Sequence, residues 1–152
     1  VSIENFELCA GRMAVDTKGC SFISIRGCSI HDFSAHRTIE FAWGHNNELR
    51  DSDIFNVAGS AVHITGGGIT KPNLVENCYI HHVAMLDHSS SAIFMEGQGY
   101  KIKRNLFHDN TSPALVRIAL MIPAILARMD MPITIPKSSH KSPVTNTTRR
   151  GK

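Results

Sequence analysis

Nine histidines occur in this chain of 152 residues, and eight of them fall in its first 108: His31, His36, His45, His63, His81, His82, His88 and His108. Imidazole titrates near neutrality, so histidines beside carboxylates are raw material for general acid–base chemistry. The acids best placed for such chemistry are Asp87, Glu96 and Asp109, with Glu40 a weaker candidate. His81 and His82 come shortly before Asp87, and His108 directly precedes Asp109. Lys101 and Arg104 add cations to the same stretch. A histidine or aspartate that ends a strand also serves well as a turn hydrogen-bonder, and that structural role stands beside the chemical one for each of these residues. Cys9, Cys20, Cys28 and Cys78 show no CxxC or other metal spacing. No metal site or disulfide framework is therefore expected, and the cysteines read as small buried apolar residues.

None of these residues forms a local motif, so the fold must bring them together. An internal repeat indicates how. Five segments align without gaps: Ile3–Leu8, Ile25–Ile30, Leu49–Ile54, Val75–Ile80 and Ile102–Phe107. Each opens on an aliphatic residue, passes through charged, polar or glycine positions and returns to an apolar residue five places on. Their starts step by 22, 24, 26 and 27 residues. A second apolar strand recurs in each step, at Met13–Val15, Thr38–Phe41, Ala61–Ile64, Ala92–Met95 and Ala114–Val116. Apolar residues alternate with period two, and glycines with Asn and Asp punctuate the turns.

One such coil cannot bury its inner face alone, whereas stacked coils share a core. Equivalent strands would pair in parallel about 4.8 Å apart and bring equivalent residues into columns. Cys28, Ser52, Cys78 and Asn105 form one column. His31, His81 and His108 share another, with Phe55 between, and Asp32, Asn56, His82 and Asp109 lie beside them. The predicted fold is all-β, a right-handed parallel β-helix of about five coils over residues 1–118. Residues 119–152 are expected to be a non-repeat tail, irregular or a short capping helix followed by a disordered end, or the product of a shifted reading frame.

The repeats resemble the Beta_helix type of right-handed parallel β-helix in the pectin-lyase-like superfamily. The runs Val75–Val83 and Ala92–Asp109 carry the likeness, the second following an "A-I-x-x-x-G-x-G-N-x-I-x-x-N-x-I-H-D" pattern with Tyr100 in place of the asparagine. The resemblance covers about residues 1–116. It implies a secreted, extracellular or periplasmic protein acting on a polysaccharide, as a glycoside hydrolase or polysaccharide lyase. A non-catalytic carbohydrate-binding or surface solenoid, or an inactive fragment, is the alternative. Hydrolysis needs a carboxyl pair, for which Asp87, Glu96 and Asp109 are the candidates. Lyase chemistry needs a base beside a uronate and a cation to hold the enolate. His81, His82 and His108 join the catalytic set, while His31, His63, Lys101 and Arg104 are expected to bind substrate. No cofactor is expected, except calcium on clustered carboxylates if the chemistry is that of a lyase. Asp87 lies in the longest loop, residues 84–91, where a lengthened coil would shape a cleft.

Charge is uneven. Residues 1–118 carry 10 Lys and Arg against 12 Asp and Glu, whereas the tail has six basic residues against Asp130 alone. That tail lacks interleaved aromatics, so nucleic acid is not an expected partner. Residues 114–127 are too few to span a bilayer and are interrupted by Arg117 and Pro123, so no membrane association is expected. The chain opens in patterned sequence without an initiator Met, which points to a fragment whose parent supplies neighbouring coils and a signal peptide.

Overall fold

A computed structural model of the chain describes residues 1–112 and 116–119. Alternating aliphatic residues give every strand one apolar face, and the chain winds so that all these faces point to one axis. Three five-stranded parallel sheets form the walls. The first holds β1 (Ser2–Glu4), β4 (Ser24–Arg26), β7 (Glu48–Arg50), β10 (Asn73–Glu76) and β13 (Tyr100–Lys103). The second holds β2 (Glu7–Gly11), β5 (Ser29–Phe33), β8 (Asp53–Val57), β11 (Tyr79–His81) and β14 (Leu106–His108). The third holds β3 (Val15–Asp16), β6 (Arg37–Ala42), β9 (Ser60–Thr65), β12 (Ile93–Glu96) and β15 (Val116–Ala119). This is an all-β right-handed parallel solenoid of about five coils. Among the described residues no helix is long and apolar enough to cross a membrane.

The register is the one the repeat predicts. Ile3, Ile25, Leu49, Val75 and Ile102 stand over one another in the first sheet. Leu8, Ile30, Ile54, Ile80 and Phe107 do so in the second. In the third sheet Val15, Ile39, Val62, Ile93 and Val116 form a ladder, with Phe41, Ile64, Met95 and Ile118 beside it. The middle-coil members of these ladders are fully buried. Each removes enough apolar surface from water to stabilise the fold by about 1.5–3 kcal/mol before chain entropy is counted.

The coil has three strands where the sequence pattern suggests two. Each six-residue segment breaks at its third position, where Asn5, Gly27, Asp51, Asn77 and Arg104 take left-handed backbone with φ between 51° and 63°. That corner turns the chain from the first sheet to the second. A second left-handed corner, at Ala10, Asp32, Asn56, His82 and Asp109, leads from the second sheet toward the third. Asn and Asp tolerate this conformation better than other side-chain-bearing residues, which accounts for their frequency there.

Polar side chains inside the coils satisfy backbone groups between turns. Asn47 and Asn73 are fully buried, and each accepts from the coil before it: Ile23 N–H donates to Asn47 Oδ1 at 3.0 Å, and Asn47 N–H donates to Asn73 Oδ1 at 3.0 Å. Ser52 and Asn105 do the same for the backbone N–H groups of Cys28 and Cys78. All four cysteines are free; Cys28 and Cys78 are buried as expected, but Cys9 and Cys20 are exposed. Cys9 lies on the outward side of β2, so period-two alternation, and not its apolar character, decides its place. At the far end β15 pairs with β12, which draws Arg117, Ile118 and Ala119 into the coil stack. The capping helix and the rest of the tail lie outside the described residues.

Candidate functional site

The outward side of the third sheet carries the most chemically varied group of side chains. Pairing of β6, β9 and β12 sets Glu40 beside His63 and Phe94 in one column, and Ala42 beside Thr65 and Glu96 in the next. Glu40, His63, Ala42, Thr65 and Glu96, with Arg37, Lys18 and Trp43, line a cleft of about 580 Å³. Arg37 donates from Nη1 to Glu40 Oε1 at 2.5 Å, and both Glu40 and His63 are buried. His63 Nδ1 lies 3.4 Å from the same Glu40 oxygen but lacks the alignment of a hydrogen bond. Phe94 stacks on the His63 ring at 4.8 Å. Burial pushes the His63 pKa down, and the Arg37 charge adds to this against the opposing pull of Glu40 and Glu96. The balance favours the neutral imidazole, and His63 Nδ1 has no hydrogen-bond partner. Among the described residues the Glu96 carboxylate makes no hydrogen bond or ion pair, although its backbone carbonyl accepts from Gly66 N–H.

Trp43 is the group that sequence reasoning missed. It follows β6 with φ 54°, and the equivalent positions on the neighbouring coils are Gly19, Gly66 and Gly97, all at positive φ. The backbone ladder confirms the equivalence: Gly19 N–H donates to Ala42 O, Trp43 N–H to Thr65 O, and Gly66 N–H to Glu96 O. Three coils place glycine where the corner demands left-handed backbone, and the fourth places the largest side chain there. That costs on the order of 1–2 kcal/mol. The indole is nevertheless 73% exposed. A Cβ on Gly66 would come within 3.4 Å of Trp43 Cδ1, so the absence of a side chain at Gly66 leaves room for the ring. The glycine column after each third strand is the signal that could have revealed the substitution.

Another ladder runs along the second sheet. His31, Phe55, His81 and His108 stack in order, with ring centroids 4.7, 5.2 and 4.9 Å apart and planes within 15° of parallel. Those spacings are set by strand separation. His81 Nδ1 meets His82 Nδ1 at 2.8 Å, His81 Nε2 meets Asp53 at 3.2 Å, and His108 bonds to Asp109 at 2.7 Å and to the Tyr79 hydroxyl. Hydrogen bonding from His108 holds the Asp109 carboxyl below the usual carboxylate range. His81, His82, His108 and Asp109 are therefore brought together, and His31 lies in the same ladder beyond Phe55.

The remaining expected residues lie elsewhere. Asp87 organises its own loop: it accepts from Ser89 N–H at 3.0 Å, from Ser89 Oγ at 2.6 Å and from Ser90 Oγ at 2.8 Å, and it contacts His36. These bonds lower its pKa far below the usual range. Asp87, Glu96 and Asp109 sit at three different places on the coil, so the structure does not unite them as one carboxyl group set. Lys101 is exposed on the first sheet.

Arg104 belongs to a charge cluster with Arg50, Lys103 and Glu76. Burial pushes the Glu76 carboxyl up, but the Lys103 hydrogen bond and the charges of Arg104 and Arg50 outweigh it and hold the pKa down. Because the folded-state pKa is lowered, this stabilisation is present above the unfolded-state value and fades as pH falls through the folded one. The cations themselves are partly exposed, so screening reduces the effect. Glu76→Gln is expected to lose about 1–2 kcal/mol at pH 7 by urea unfolding. The gap from the parent should close as pH is lowered below the carboxylate range. A gap that stays constant with pH would show that the charge is not what matters.

A wound column of parallel sheets with a polar cleft on one outer wall defines the class. The family model described as a right-handed β-helix region matches residues 1–122, and the chain belongs to that family. Comparison with curated proteins and with solved structures returned no match.

Proposed function

We propose that this chain is the carbohydrate-active portion of a secreted β-helix protein and that a polysaccharide lies along the third sheet, over the cleft formed by Lys18, Arg37, Glu40, Trp43, His63 and Glu96. The observation that carries this reading is Trp43. An exposed indole kept at a strained backbone position, in a column that otherwise uses glycine, serves no purpose in the core. A flat aromatic face beside acids and cations suits a sugar ring, whose C–H groups pack on the ring while its hydroxyls bond the polar residues. Parallel coils repeat about every 4.8 Å, so the cleft extends along the axis as a polymer does.

For turnover, Glu96 is the acid free to reach a bound sugar and Glu40 is its carboxyl partner. Their strands are two coils apart, about 10 Å along the axis, and their columns two residues apart, about 7 Å across it. That is too wide for the closer retaining pair, and the two side chains must lean together to reach the roughly 6.5–9.5 Å of inverting hydrolysis. Binding without turnover is the second reading. It is favoured by the Arg37–Glu40 bond, which already occupies the buried carboxylate.

Three measurements separate these. New reducing ends without new ultraviolet absorbance would indicate hydrolysis, absorbance from unsaturated ends would indicate a lyase, and retention without either would leave binding. Glu96→Gln should abolish any hydrolysis while retaining affinity. Trp43→Gly should weaken polysaccharide binding at least about tenfold, which is about 1.4 kcal/mol. It should leave thermal stability unchanged or raised by up to about 1 kcal/mol, since glycine relieves the left-handed strain. Lost stability with intact binding would make Trp43 a structural residue and remove the basis of the proposal.

A further inference from the structure

On the second sheet, away from this cleft, we propose that Glu7, Cys9 and His31 form a zinc-type metal site, with Asp32 as the residue that orients the imidazole. Pairing of β2 with β5 sets Cys9 opposite His31, and Glu7 lies two residues earlier on the same outward side. One donor atom from each of the three lies within 4.8 Å of the others. Tetrahedral zinc with bonds of about 2.0–2.3 Å brings its donors to roughly 3.3–3.8 Å apart. Small rotamer changes of the exposed Glu7 and Cys9 side chains cover the difference.

The imidazole supplies the stronger argument. His31 Nε2 lies 3.0 Å from Glu7 Oε1, and Nδ1 lies 2.8 Å from Asp32 Oδ2. A neutral imidazole has one N–H and so satisfies only one of two carboxylates; the other faces a nitrogen lone pair. Protonation of both nitrogens also satisfies both carboxylates, and the Asp32 and Glu7 hydrogen bonds accordingly raise the His31 pKa. A cation at Nε2 takes the place of that second proton, leaving Nδ1–H to donate to Asp32. That is the arrangement by which a carboxylate fixes the tautomer and orientation of a metal-bound histidine. Phe55, stacked on His31 at 4.7 Å and 15°, holds the ring plane from one side. A donor set of one sulfur, one imidazole nitrogen and one carboxylate suits zinc or a similar borderline cation; calcium and magnesium prefer oxygen alone. Three protein donors leave a fourth position for water or a ligand. Binding releases the Cys9 thiol proton, and the Nε2 proton where His31 carries one, to solvent, so affinity should rise with pH.

The test uses the full chain and cobalt(II), which reports thiolate ligation through a near-ultraviolet charge-transfer band. One equivalent of Co²⁺ should produce that band, and Zn²⁺ should abolish it by displacement. Cys9→Ser should lose the band, whereas Cys20→Ser, altering the other exposed cysteine, should keep it. Asp32→Asn retains a residue suited to the left-handed corner at φ 60° and should weaken Co²⁺ binding 10–100-fold. Glu7→Gln, on the outer surface, provides an independent loss of affinity, and circular dichroism checks that each variant is folded. No band at stoichiometric Co²⁺, or a band that survives Cys9→Ser, would overturn the site. Neither result bears on the carbohydrate cleft.

Discussion

Alanine at Gly44 should destabilise the protein by about 3–5 kcal/mol, although the change adds a single methyl group. A Cβ at this position would lie 1.7 Å from the Cys20 carbonyl oxygen and 2.9 Å from Asn47 Nδ2. The Cys20 carbonyl accepts from Asn47 Nδ2 at 3.0 Å, and the Gly44 carbonyl accepts from Asn73 Nδ2 at 3.1 Å. Relief of the clash must therefore push neighbouring coils apart where the internal asparagine ladder joins them. Overpacking costs about 1–3 kcal/mol and each lost hydrogen bond about 1 kcal/mol more. Domains of this size have about 5–15 kcal/mol in total, so the variant should be marginal or unfolded. Gly19→Ala is the control. Nothing lies within 4 Å of its added Cβ, and only its φ of 69° resists the change, at about 1–2 kcal/mol. Urea unfolding of both variants decides the matter. Equal losses would mean that coils do not approach at Gly44 as closely as described.

The second large effect is expected from the axial ladder. Ile54 is fully buried between Ile30 and Ile80, in the central coil of the second sheet. Ile54→Ala should cost about 2–5 kcal/mol, because the cavity faces both neighbouring coils and neither can collapse far. Leu8 occupies the same ladder on the first coil and is only partly buried. Leu8→Ala should cost distinctly less, and Leu86→Ala, on an 80% exposed side chain, almost nothing. A descending series of Ile54, Leu8 and Leu86 is the signature of stacked repeats. Similar losses at Ile54 and Leu8 would contradict it.

The coil stack was legible because its cause is repetitive. Each coil must supply an aliphatic residue at the same inward position, and Ile3, Ile25, Leu49, Val75 and Ile102 do so without gaps. The corner inside each segment was harder to see. Asn5, Gly27, Asp51 and Asn77 suit left-handed backbone, but Arg104 completes the set and does not announce a turn. The candidate site was less legible still. Glu40, His63 and Glu96 belong to three coils and two outward columns of the third sheet, where residue type changes from coil to coil, unlike the His31, His81 and His108 column of the second sheet. Trp43 escaped attention because its meaning comes from the glycines beside it and not from its own neighbours in sequence. Asp87 drew attention as an acid in the longest loop, yet Ser89, Ser90 and His36 engage its carboxylate. Residue type predicts a buried Cys9, whereas the pleat turns it outward toward His31.

Trp43 is the only tryptophan in the chain, so its fluorescence reports on the cleft without any labelling or substitution. Titration with neutral and uronate-containing oligosaccharides should give a saturable blue shift for the sugar that the protein binds, as the ring stacks on the indole and water leaves its face. Retention of a polysaccharide by the protein with no change in Trp43 emission would place binding elsewhere. Emission that stays flat across every sugar, with nothing retained, would contradict the carbohydrate reading itself.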